Sequence, residues 1–245
     1  MSRPLLQLEG VHTRIGAYHI LHGVDLVVPE GEVTVLLGRN GAGKTTTLRT
    51  IMGLWPHSQG RVRFAGQPMP KATPDIARSG IAYVPETMGV FADLTVRDNM
   101  LLAARSARTV ADLEEAHLDW VFSQFPALKT FWLYPAGKLS GGQKQMLAVA
   151  RAIIEPRKLL LIDEPTKGLA PAIVQNMLQA FRELKAKNTT ILLVEQNFGF
   201  AKALGDTVAI MDNGKIVHVG TMARLVAEEA LQARFLGLSL EAEGH

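Results

Sequence analysis

An α/β core carrying an antiparallel β subdomain and an inserted α-helical subdomain is the fold class this sequence predicts, and three observations lead to it. The stretch Gly38-Arg39-Asn40-Gly41-Ala42-Gly43-Lys44-Thr45-Thr46 matches G-x-x-x-x-G-K-[ST]. An apolar, β-branched run, Glu32 to Leu37, precedes it and a helix-competent run, Thr46 to Met52, follows it up to Gly53. Residues Leu5 to Val28 alternate apolar and polar in short runs and end in the turn Pro29-Glu30-Gly31-Glu32, the pattern of antiparallel strands. From about Thr87 to Lys138 that pattern gives way to helical spacing.

The first observation makes the core a P-loop NTPase core. Glycines let backbone wrap a phosphate closely, and a helix start directs unpaired N–H groups and its positive dipole end at the anion. Residues Gly38 to Thr46 would therefore hold a nucleotide, with Lys44 reaching the β- and γ-phosphates and the Thr45 hydroxyl on Mg²⁺. A glycine-rich turn that binds nothing is the alternative, and it leaves the flanking strand and helix without a purpose.

Composition narrows the function. With 245 residues and 47% apolar content, the chain can bury one large core or a core domain with an inserted subdomain. The expected division is one domain, with 1–86 and 139–220 as nucleotide-binding core and β subdomain, 87–138 as helical subdomain and 221–245 as a helical tail. No run approaches the roughly 18 apolar residues that span a bilayer. Met1-Ser2-Arg3-Pro4 leads into alternating sequence without a signal peptide's apolar stretch, so a soluble protein that stays where it is made is expected. Zero cysteines exclude disulfides, thiol catalysis and Cys-zinc sites and fit a reducing cytosol. A net charge of +3 without a dense Lys/Arg cluster gives no argument for nucleic acid.

In chain order, His12, His19 and His22 lack the spacing of H-E-x-x-H and read as strand or surface histidines. Gly60 to Gly66 reads as a short edge strand, and Gly80 to Pro85 as a buried one ended by proline. Thr95-Val96-Arg97-Asp98 is a capping-box start, with Met100, Leu101 and Ala104 at helical spacing. Leu113, Ala116, Trp120 and Val121 mark a second helix that stops before Pro126. Ser140 is a good N-cap for the helix carrying Met146, Leu147, Ala150, Ile153 and Ile154. The glycines Gly141 and Gly142 weaken a helix unless backbone must approach something closely. Lys158 to Glu164 is an apolar strand ending in two acids. Asp163, at a strand end beside a P-loop, is placed for the Mg²⁺ shell, and Glu164 to polarise an attacking water as general base. A solvated strand end is the plain alternative. A helix over Pro171 to Lys187 and a strand over Thr190 to Glu195 follow, then a short Phe198 to Leu204 segment. Next come a hairpin with a type I′ turn at Asp212-Asn213-Gly214-Lys215 and a tail, Met222 to Leu238, amphipathic enough to be helical; the last residues are expected to be disordered.

Taken together, the P-loop, Leu139-Ser140-Gly141-Gly142-Gln143 and Leu160 to Glu164, in this order and spacing, resemble an ABC-type ATPase over nearly the whole chain. The resemblance implies a head-to-tail dimer in which ATP lies between one P-loop and the partner's Ser140-Gly141-Gly142-Gln143. A narrower resemblance, to the LivF-like ATPases of importers for branched-chain and other hydrophobic amino acids, rests on Val84-Pro85-Glu86, Glu164 to Pro171, Val194-Glu195-Gln196-Asn197 and the ending Phe235-Leu236-Gly237. It implies a second ATPase subunit, identical or related, two membrane permeases above the pair, a substrate-binding protein feeding them, and a place on the cytoplasmic face of the membrane. Glu86 stands where most members carry the glutamine beside the metal, and Gln196, which can hydrogen-bond but carries no positive charge, replaces the histidine that senses the γ-phosphate. The base-stacking aromatic aligns with Ile15, with Tyr18 as a substitute or an ordinary tyrosine. Ala170 replaces an aspartate frequent after the catalytic glutamate. Phe91 and Leu94, within Glu86 to Asn99, are candidate contacts for a permease helix or plain subdomain core. Two other classes stay open: an ABC ATPase in assembly or maintenance that never meets a membrane, and a P-loop kinase or switch.

Overall fold

The computed structural model describes residues 3–104, 109–113 and 115–236. The side chains of Ala116, Phe235 and Leu236, and the expectations placed on Gly237 onward, lie outside the described residues.

Strands β1 (Pro4–Ile15) and β2 (Tyr18–Pro29) form an antiparallel hairpin, with Leu8 opposite Leu26 and Ile15 opposite Tyr18. The buried strand β3 (Val33–Leu37) leads into the P-loop, from which α1 (Lys44–Ile51) starts. Next come β4 (His57–Phe64), β5 (Gln67–Pro68), α2 (Thr73–Arg78) and β6 (Ile81–Val84). The antiparallel sheet runs β2-β1-β4-β5, so the segment expected to be an edge strand is an interior one. The reason is local: the chain turns at Ala65-Gly66 and lays Gln67 beside Phe64, covering the outer side of β4. Helix α2 escaped the sequence because six residues with Ile76 as their buried anchor carry no readable period.

The helical stretch holds α3 (Val96–Ala103), α4 (Glu115–Gln124) and α5 (Pro126–Thr130). Thr95 caps α3 by accepting the Asp98 N–H at 3.0 Å, and Pro126 ends one helix and opens the next. Then follow α6 (Gly141–Ile153), β7 (Leu159–Asp163), α7 (Pro171–Ala186), β8 (Thr190–Val194) and α8 (Phe198–Leu204). The chain closes with β9 (Thr207–Asp212), β10 (Lys215–Thr221), α9 (Met222–Ala227) and α10 (Glu229–Leu236). Asn213 at φ 44° and Gly214 at φ 73° make the expected type I′ turn between β9 and β10.

The larger sheet runs β10-β9-β3-β8-β7-β6, parallel from β9 to β6, with β10 antiparallel at one edge. Strand β6, read as buried, is the other edge, with Ile81 and Val84 buried and Ala82 and Tyr83 half-buried. The inner strands are mostly apolar because both faces are covered. Alternate residues nevertheless part company. Val35, Ile162 and Leu193 face a core shared with α6 and α7, while Leu36, Leu161 and Leu192 face one shared with α1 and the β1–β2 hairpin. Val121, Phe125 and Leu128 join the first of these cores with none of their surface exposed. At about 2 kcal/mol for each such side chain, they anchor the helical stretch to the sheet.

Candidate active site

The parallel strands deliver their carboxyl ends to one side of the sheet, where crevices of α/β folds collect ligands. Gly38 ends β3 at φ 153°, and a Cβ there would lie 2.3 Å from the Met211 carbonyl oxygen, so only glycine lets the loop leave β3 so close to β9. The Gly214 N–H donates to the Ala42 carbonyl at 2.9 Å, tying the loop to the β9–β10 turn.

Within the loop, the Lys44 ammonium donates to the Gly38 and Arg39 carbonyls at 2.8 and 3.1 Å and lies 3.8 Å from Glu164 Oε1. Burial pulls its pKa below the usual lysine value, against the pull of the Glu164 and Asp163 charges. The Thr45 hydroxyl donates to Asp163 Oδ1 at 3.1 Å, and the Tyr83 hydroxyl donates to Oδ2 at 3.4 Å. Asp163 has no exposed surface. Burial pushes its carboxyl up to about 6, with the Thr45 hydrogen bond working against the rise and the Glu164 and Glu86 charges adding to it. Burial and the Asp163 charge push the Tyr83 phenol up to about 12, which keeps it a neutral donor.

Glu164 follows at φ 47°, a left-handed conformation unusual for a non-glycine residue, with its N–H held by the Val194 carbonyl at 2.9 Å. Gln196 donates to Glu164 Oε1 at 2.5 Å and to Asn40 Oδ1 at 2.6 Å, linking the second acid to the P-loop. Lys167 contacts Glu86 Oε1 at 2.5 Å and Glu164 Oε2 at 3.5 Å. Beneath them Glu195, 2% exposed, accepts from the Thr166 N–H and hydroxyl and from the Gln196 and Asn197 N–H groups. Burial still raises its pKa. One buried carboxylate thus ties the loop after β7 to the loop after β8.

The other predicted binding stretch stands apart. Ser140 Oγ accepts the Gln143 N–H at 3.3 Å while Gln143 Oε1 accepts the Ser140 N–H at 2.9 Å, a reciprocal capping box on α6. Ser140 and Gly141 are exposed, and a Cβ on Gly141 would meet nothing within 4 Å, whereas one on Gly142 would meet Ile173 at 3.1 Å. Among the described residues, no hydrogen bond or ion pair links Ser140 to Gln143 with the Lys44–Asp163–Glu164 cluster.

The ABC transporter family model matches residues 21–167, which include the P-loop, the Ser140 helix start and both strand-end acids. The chain belongs to the ABC transporter family. It is 39% identical to the high-affinity branched-chain amino acid transport ATP-binding protein BraG of Pseudomonas aeruginosa, over 95% of this chain and 100% of that one. It is 35% identical to the probable branched-chain amino acid transport ATP-binding protein LivF of Archaeoglobus fulgidus, over 90% and 93%. A solved ATP-binding subunit of an ABC transporter superposes with TM-score 0.79 at 30% identity, over 95% of this chain and 96% of that one.

The P-loop NTPase core with its antiparallel β subdomain and helices is thus the fold of an ABC ATPase, an enzyme that couples ATP hydrolysis to transport. Of the predicted site residues, the structure brings Asn40, Lys44, Thr45, Asp163, Glu164 and Gln196 into one bonded cluster, with Glu86 joined to it through Lys167. Arg39 joins the cluster only through its carbonyl, and among the described residues the side chains of Arg39 and Thr46, the latter in the first turn of α1, make no bond to it; Gly41 is exposed in the loop. Ala42 and Gly43 are buried in it. Tyr18 sits at the β1–β2 tip, 76% exposed, beside half-buried Ile15. The three histidines near it gather, His12 and His19 at 3.1 Å and the His19 and His22 rings at 4.1 Å. Among the described residues, no group of three His, Cys, Asp or Glu is arranged to hold a metal. Thr45 and Asp163 offer two hard oxygens at hydrogen-bond distance, the partial set by which Mg²⁺ is held when phosphates and waters complete its shell.

Sequence reasoning missed Tyr83, Lys167 and Glu195 as site residues. Tyr83 reaches Asp163 only because β6 pairs with β7 in register, Ala82 opposite Leu160 and Val84 opposite Ile162. Glu195 had one available signal, an acid at the end of an otherwise apolar strand.

Proposed function

We propose that this chain is the ATP-hydrolysing subunit of an importer for branched-chain or other hydrophobic amino acids, working as half of an ATP-sandwich dimer. The observation that carries this reading is the separation of two unfinished half-sites. Among the described residues no hydrogen bond or ion pair joins the P-loop cluster to the helix start at Ser140, where Ser140 and Gly141 are exposed and Gly141 faces open space. A second subunit, identical or related, supplies the missing half to each.

In that enclosure Lys44 leaves the loop carbonyls for the β- and γ-phosphates. Thr45, Asp163 and Glu86 would hold Mg²⁺, which would supply neutralisation of the phosphate charge. Glu164 accepts the proton of the attacking water, and Gln196 holds its carboxylate while bonding the P-loop through Asn40. Hydrolysis removes the γ-phosphate contact that closed the dimer, so opening follows chemistry. Tyr18 or Ile15 packs on the base.

Permeases dock on the segment from Glu86 to Asn99. Buried Asn99 braces it, accepting the Phe91 N–H at 3.0 Å and donating to the Phe91 and Thr95 carbonyls. That leaves Phe91 51% exposed beside a groove of about 530 Å³ lined by Tyr83, Pro85, Met88 and Arg151, while Leu94 is half-buried. No described helix is long and apolar enough to cross a membrane, and the subunit sits on the cytoplasmic face through its permeases. Co-purification of the tagged chain from its native host tests this: membrane permeases should accompany it and raise its ATPase rate. Recovery with soluble partners alone would reject the transport role. Loss of ATP binding on deleting the Phe91 contact would make that segment core rather than a docking site.

A further inference from the structure

Two carboxylates, Glu164 and Glu86, are joined at this site by the Lys167 ammonium, and a second ammonium, Lys44, faces Glu164. Lys44 is committed to two loop carbonyls and lies 3.8 Å from Glu164 Oε1. That oxygen also takes the Gln196 bond at 2.5 Å. Glu164 Oε2 is buried without a hydrogen-bond partner, and the cation near it is Lys167, at 3.5 Å. The same Lys167 ammonium bonds Glu86 Oε1 at 2.5 Å from a side chain that is 57% exposed. One ammonium with three donors therefore spans two carboxylates that approach from different loops, the one after β6 and the one after β7.

We propose that Lys167 is a positioning residue that stands in for the metal: its ammonium holds Glu86 and faces the bare Glu164 oxygen until Mg²⁺ takes Glu86 over. The proposal rests on the reading of Glu86 as a metal-facing residue given above. A divalent ion arriving at Thr45 and Asp163 competes with Lys167 for the Glu86 oxygen. Once displaced, the ammonium keeps only the Glu164 contact, and the position of the general base becomes tied to metal occupancy. Because Lys167 is mostly exposed, the competition is modest, a two- to fivefold effect on the Mg²⁺ requirement at the usual strength of such pairs.

The test is Mg²⁺ titration of the binding of a fluorescent ATP analogue to the purified full chain, a readout independent of turnover. Lys167→Ala and Lys167→Gln should lower the half-saturating Mg²⁺ concentration about two- to fivefold, and Lys167→Arg should stay with the parent protein. Glu86→Gln should raise it, and adding Lys167→Ala to Glu86→Gln should change nothing further. Identical titrations for the parent, Lys167→Ala and Lys167→Gln would overturn the proposal. So would a full Lys167→Ala shift in the Glu86→Gln background, which would mark simple long-range repulsion of the metal. An unaltered Mg²⁺ requirement in Glu86→Gln alone would remove Glu86 from the metal and with it the premise.

Discussion

Asp163→Asn should stabilise the nucleotide-free protein at neutral pH while disabling it as an enzyme. The carboxylate has no exposed surface and sits near two others. Raising its pKa from 3.8 to about 6 costs the charged form on the order of 3 kcal/mol at neutral pH. Asparagine keeps the volume and an acceptor for the Thr45 hydroxyl, so about 1–3 kcal/mol of that cost should be recovered. For a chain of this length each kcal/mol moves Tm by about 2–4 °C, which puts the expected gain at roughly 2–12 °C. The pH dependence carries the sign. A raised pKa means the folded state holds the proton longer than the unfolded one. The stability Asp163 contributes is present below 3.8 and lost as pH rises through about 6. The advantage of Asp163→Asn should therefore be small at pH 4, about half developed at pH 5 and full by pH 8. Thermal unfolding by circular dichroism across that range, without nucleotide or Mg²⁺, measures it. Adding both should raise Tm for the parent and leave the variant behind. No gain at pH 8, or the same gain at pH 4 and pH 8, would refute the idea that desolvation strains this carboxylate.

Three other substitutions probe the proposed chemistry. Glu164→Gln should bind ATP normally, lower turnover by about 10²-fold or more, and accumulate as a closed dimer on gel filtration; undiminished turnover would take Glu164 out of the base role. Gln196→Ala removes the bonds to Glu164 and Asn40 at 2.5 and 2.6 Å. It should lower kcat by about tenfold with KM nearly unchanged, and a pure KM effect would mean that Gln196 serves binding alone. Gly141→Ala enters open space at a helix start, so Tm should hold or rise, by up to about 1 kcal/mol of stability. In a Glu164→Gln background it should nevertheless abolish the ATP-driven dimer, since a methyl group would block close approach of a phosphate. A dimer of normal strength would show that this helix start does not reach a neighbour's nucleotide.

Legibility in the sequence followed the range of the interaction. The P-loop could be read because its glycines, its lysine and the flanking strand and helix are contiguous. The type I′ turn was readable for the same reason, since Asn213 and Gly214 adopt positive φ within a four-residue motif. The helix start at Ser140 was legible as a cap and, by resemblance, as a binding element; the structure shows the cap, and the open face of Gly141 leaves room for the second use. Strand β4 was misplaced at an edge because its cover, two residues of β5, has no pattern of its own.

The sequence by itself determined which residue types are present for nucleotide chemistry and where strands end in loops, because those features are written in neighbouring residues and local backbone preference. Only the tertiary structure decided which of them meet. The Tyr83–Asp163 contact spans 80 residues, Lys167–Glu86 81 and Gln196–Asn40 156. Such meetings depend on the order β3-β8-β7-β6, which sets strand ends from distant parts of the chain side by side. No local preference encodes that order. It follows from covering both faces of the sheet at once, with alternate residues of each strand committed to opposite cores.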